Sequence, residues 1–123
     1  MATPPAPPPT PEFMAWLAHE QAWGRHALRA IAARRRSLLV DSHGLEQFAI
    51  RMAIVDLTGA VARWAGGLHD GLSRARQARA AAAFAASPPF AAADPTTGDC
   101  DRLAAYVEER MELLEDLLSG ASA

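Results

Sequence analysis

Residues 101–118 read DRLAAYVEERMELLEDLL. Turned through 100° per residue, Leu103, Tyr106, Val107, Met111, Leu113, Leu114, Leu117 and Leu118 fall within one broad stripe, while Asp101, Glu108, Glu109, Glu112, Glu115 and Asp116 fill the opposite face. The pattern predicts a single amphipathic helix over residues 100–119, stopped by Ser119 and Gly120. Arg110 interrupts the stripe at an angle close to those of Leu103 and Leu114, and a cation there must snorkel or meet an acid. Glu20 and Asp56, both near apolar surface, are its candidate partners within the chain.

Residues 91–123 hold eight acids and two arginines, a net of −6, against ten arginines and six acids, +4, in residues 1–90. The acidic helix therefore either folds back on a basic body or docks elsewhere, and its position behind a Pro/Ala linker (residues 87–99) favours docking. Leu103, Val107, Arg110, Leu114 and Leu118 are then the partner-binding residues, spaced as a helix that lies in a groove.

Outward from this segment, residues 11–86 read as the helical core, with helices over about 11–40, 45–66 and 70–86. Thr10 is an N-cap with Pro11 at the first helical position and Glu12 in the first turn. Phe13, Leu17, Gly24, Leu28 and Ile31 form the stripe of the first helix, with Trp16 and Trp23 along its edge. The second helix carries a straight seam of Ile50, Ile54, Leu57, Val61, Trp64 and Leu68, and a second row of Phe48, Met52, Val55, Gly59 and Ala62 nearly opposite. A helix apolar on two sides needs cover on both. Phe48, Met52 and Val55, with Trp16 and Trp23, are accordingly the expected oligomer interface. Gly66 and Gly67 are expected to end this helix; running through both would cost about 2 kcal/mol. Residues 1–10 read as a Pro-rich disordered tail, since five of positions 2–9 are proline. The fold class is all-α: a small antiparallel bundle or long hairpin with a tethered C-terminal amphipathic helix.

Composition narrows the function classes. The chain has 29 alanines and neither Lys nor Asn, a bias of GC-rich coding that suggests a bacterial or phage source. The one cysteine, Cys100, forms no internal disulfide, and its neighbours Asp99 and Asp101 argue against a reactive thiolate. No basic n-region with an apolar run opens the sequence, and no stretch is apolar enough to span a bilayer, so the expected address is cytoplasmic with no membrane partner. Trp16, His19, Trp23 and His26 line one side of the first helix, but Glu-x-x-His and His-x-x-x-His spacings are missing, and neither a metal nor another cofactor is expected. Arg34, Arg35, Arg36, Arg76 and Arg79 are candidate contacts to DNA or RNA phosphates, although no helix-turn-helix or Gly-rich loop accompanies them.

Three limited resemblances bear on function. Arg63 and His69, five residues between them, resemble the Arg-x(4 to 6)-His signature of HEPN ribonucleases. That resemblance implies His69 handling the 2′-hydroxyl proton and Arg63 stabilising phosphorane charge. Trp64 stands where a polar residue usually follows the Arg, and two glycines interrupt the motif. Trp64-Ala65-Gly66 resembles the WxG turn of the small helical hairpins of type VII secretion, but Arg110 replaces the acid expected four residues after Tyr106. In organisation alone the chain resembles small terminase subunits of tailed phages, helical hairpins that form rings and bind DNA loosely. The favoured reading is a non-enzymatic adaptor or assembly subunit that oligomerises and docks a protein partner through its last helix. A nucleic-acid-binding oligomer and a HEPN-like ribonuclease are the alternatives.

Overall fold

The computed structural model describes residues 10–40, 44–85 and 95–121, which form four helices and no strand: α1 (Pro11–Val40), α2 (Gly44–Arg74), α3 (Ala78–Ala83) and α4 (Thr97–Ala121). The tail at 1–9 and most of the linker lie outside the described residues. The small helical bundle expected from the periodicity is the fold observed.

Local chemistry sets the helix starts. The Thr10 hydroxyl accepts the Phe13 amide at 3.1 Å and caps α1. At α4, Thr96 and Asp99 form a reciprocal box: the Thr96 amide donates to Asp99 Oδ2 at 2.7 Å and the Asp99 amide donates to Thr96 Oγ1 at 3.2 Å. Pro95, just ahead of this box, is buried, so the end of the expected linker is packed against the body.

Helix α1 is the central element. It makes its broadest contact with α4 and the next with α2, whereas α2 and α4 barely touch. Both neighbours run antiparallel to it. Arg35 meets Asp101 while Gly24 faces Met111, and the Leu38 carbonyl accepts from Gln47 while the Glu20 carbonyl accepts from the Trp64 indole at 3.2 Å. Gly24 allows this double packing: a Cβ there would press into the Met111 sulfur and come within 3.1 Å of the Trp64 ring. Gly71 does the same for the indole of Trp16.

Two boundaries differ from expectation. Helix α2 does not stop at Gly66 but runs on to Arg74. The glycine pair costs about 2 kcal/mol, whereas burying a leucine returns roughly 1.5–3 kcal/mol. Continuation buries both Leu68 and Leu72 completely, so continuation wins. The stop comes at residue 76 through a Schellman motif, in which the Gln77 amide donates to the Leu72 carbonyl and the Arg76 amide to the Ser73 carbonyl. Arg76 occupies the left-handed position with φ 61°, where glycine is usual. The expected third helix over 70–86 consequently shrinks to the six residues of α3, pinned to α2 by the 2.9 Å contact between His69 Nδ1 and the Ala81 carbonyl.

The other difference concerns α4. Leu103, Val107 and Leu114 are completely or almost completely buried, together with Cys100 and Tyr106. Leu118 is half-buried against the same cluster. This stripe covers α1 of its own chain instead of waiting on a tether. The reason is the apolar row Leu17, Gly24, Leu28 and Ile31, which α2 alone leaves half uncovered and which α4 completes.

Candidate interaction surface

The inner seam of α2 is closed within the protomer: Ile54, Val61, Trp64 and Leu68 are buried, and Ile50 and Leu57 pack partly against them. Its outer row is not. Phe48 is 63 % exposed, Met52 41 % and Leu45 87 %, and they continue into half-buried Val55, Gly59 and Ala62. Leu39 and Val40 at the end of α1, next to the connection into α2, are also exposed. Beside it lies a groove of about 800 Å³ lined by Ala33, Arg36, Ser37, Val40, Glu46, Ala49 and Ile50. Isolated exposed leucines are ordinary on proteins, whereas Leu45, Phe48 and Met52 are large apolar side chains exposed on one side of one helix.

The tryptophans grouped with this row belong elsewhere. Trp23 stacks on Trp64 with ring centroids 5.3 Å apart, and Trp16 lies 5.9 Å from Phe13 and over Gly71. Both are half-buried in these contacts within the chain, apart from the row of Phe48, Met52 and Val55 with which they were grouped. The indole pair closes one wall of a smaller cleft of about 340 Å³, which His19, Glu20, Ala60 and Arg63 complete.

The five candidate phosphate contacts do not form one patch. Arg35 is paired with Asp101 at 2.8 Å. Arg34 and Arg36 are exposed but diverge by about 160° around α1. Arg76 and Arg79 are exposed at the far end of α2, roughly 40 Å along the bundle at 1.5 Å per residue. A more coherent basic row, Arg25, Arg29 and Arg36, projects from α1 on the side away from its core stripe.

Arg63 and His69 also separate. On a continuous helix they point about 120° apart, and His69 is engaged with the Ala81 carbonyl. The Trp64-Ala65-Gly66 segment lies inside α2 and makes no turn. Among the described residues, no group of three or more His, Cys, Asp or Glu side chains is placed to hold a metal ion.

Arg110 is only 6 % exposed, and the partners expected for it, Glu20 and Asp56, are not the ones it meets. Its guanidinium lies 3.6 Å over the Tyr106 ring, and Nη1 donates to the Tyr106 carbonyl at 3.2 Å and to Glu109 at 2.9 Å. The charge does not reach open water: it stays buried beside its own helix, held by a π face and an exposed carboxylate, while its Nε has no hydrogen-bond partner. Around it, burial pushes the Tyr106 phenol up against the opposing pull of Arg110. Burial also pushes the Cys100 thiol up, reinforced by Asp101 and Asp99. Cys100 is thus a small buried core residue whose thiol is held in its protonated form. The Asp99 carboxyl is held below the usual carboxylate range, first by the Thr96 amide and further by the Thr96 hydroxyl and Arg102, with partial desolvation opposing them.

No helix among the described residues is long and apolar enough to cross a membrane. No known protein family matches the chain, no curated protein matches it, and no solved structure matches it.

Proposed function

We propose that this protein is a non-enzymatic assembly subunit that associates through the outer face of α2. The observation that carries this reading is the uncovered row of Leu45, Phe48 and Met52 on a helix whose other side is fully used in the core. Exposing a phenylalanine and a methionine to water forgoes several kcal/mol of burial that association recovers. An adaptor role through α4, if it operates, works through the acidic outer face of Glu108, Glu109, Glu112, Glu115 and Asp116, because the apolar stripe is already covered.

The test replaces Phe48 and Met52 together by Asp in the full chain. Light scattering is expected to give the mass of one protomer, with helix content by circular dichroism equal to wild type. Unchanged mass in the variant rejects this face as the assembly surface.

A nucleic-acid reading has one observation in its favour, the exposed row Arg25, Arg29 and Arg36. It predicts DNA or RNA binding that weakens steeply with salt and is lost when all three are changed to Gln. Equal retardation by wild type and the triple variant removes it.

A further inference from the structure

We infer that the cover for the open face of α2 is α2 of a second copy, packed antiparallel about a two-fold axis near residue 60. The inference rests on the assembly reading above and adds the partner, the direction and the register.

The outer row of α2 comprises Leu45, Phe48, Met52, Val55, Gly59, Ala62 and Gly66, at alternating steps of three and four. This is the spacing of a seam between two long helices. The seam is graded in size: its N-terminal half is bulky and its C-terminal half is small. A Cβ at Gly66 would meet nothing within 4 Å, so the protomer itself has no use for a glycine there. Parallel packing would crowd Phe48 and Met52 against their own copies and leave the glycine end hollow. Antiparallel packing about residue 60 sets Gly59 against the partner's Ala62 and Val55 against the partner's Gly66, so the small residues let the two backbones approach at the crossing. A surface that matches itself after a half-turn is what a two-fold interface requires.

The flanking charges obey the same symmetry. Asp56 and Arg63 are both exposed, neither is ion-paired with a described residue, and they lie one heptad apart along one edge of the seam. The Arg63 side chain already leans across Gly59, its Nη1 3.5 Å from where a Cβ would stand. Turning α2 about residue 60 brings Asp56 beside the partner's Arg63, and symmetry repeats the pair. Oppositely charged groups that meet only in this direction fix orientation as well as adding attraction.

The experiment uses Asp56→Arg and Arg63→Asp in the full chain, each alone and then mixed in equal amounts, with self-association followed by sedimentation. Each variant alone is expected to associate about tenfold or more weakly than wild type, since like charges then face each other twice. The mixture is expected to recover wild-type association, because every pair across the interface is again opposite. Because both side chains are exposed, circular dichroism should show unchanged helix content. Single variants that associate as tightly as wild type, or a mixture no stronger than its components, overturn the antiparallel register. If the Phe48 and Met52 double variant is monomeric in that case, the assembly reading stands without it. A wild-type chain that never associates removes both.

Discussion

Gly66 and Gly67 lie inside a 31-residue helix with open space where either side chain would begin. Alanine at Gly66 should therefore raise protomer stability by about 1 kcal/mol through helix propensity alone. At Gly71, in the same helix, the Trp16 indole occupies that space, and Gly71→Ala should lower stability by about 1–3 kcal/mol. Denaturant unfolding at low protein concentration measures both, and the opposite signs separate a packing glycine from one the protomer does not need. Arg76 offers a third residue-scale check. Its left-handed φ of 61° costs roughly 1–2 kcal/mol, and Arg76→Gly should recover about that much in the same unfolding measurement. No gain on Arg76→Gly would mean that the arginine side chain has a compensating contact in solution.

At the scale of elements, α4 depends on its first turn. Thr96→Ala should cost about 1 kcal/mol, and the contribution of Asp99 should depend on pH. The Asp99 carboxyl is held below its unfolded value, so its contribution is fully present above the ordinary carboxylate range and is lost as pH falls through the lowered value. The melting temperatures of wild type and Asp99→Asn should accordingly differ at neutral pH and converge in acid. A difference that persists at low pH would assign the effect to something other than the charge. The helix itself, its two faces and the misfit of Arg110 were all legible in the sequence, because each depends only on period 3.6. What covered its apolar face was not. That depended on the unmet half of the α1 stripe and on the room Gly24 makes for Met111, which are properties of two elements at once. The end of α2 was misplaced for a related reason. Two glycines together disfavour the helix locally, but Leu68 and Leu72 decide the matter by burial, and an arginine in the left-handed position gives no sequence signal of a helix stop. Phe48 and Met52 were legible as a second apolar row and are exposed, while the packing of Trp23 on Trp64 was not legible, because an edge position on α1 faces α2 as readily as solvent.

Across the whole molecule, the large apolar side chains left exposed among the described residues are Leu39 and Val40 at the end of α1 and Leu45, Phe48 and Met52 on α2. Deleting residues 97–121 would strip the cover from α1 along with the acidic face, so α4 is part of the core and not a removable tail. The acidic helix α4 and the arginine-bearing α1 meet at the Arg35–Asp101 pair. The proposed association covers the apolar row on α2. Sedimentation equilibrium of the wild-type chain over a wide concentration range tests this most directly. The average mass should rise with concentration to at least twice that of the chain; a mass of one protomer at every concentration would rule out assembly through α2.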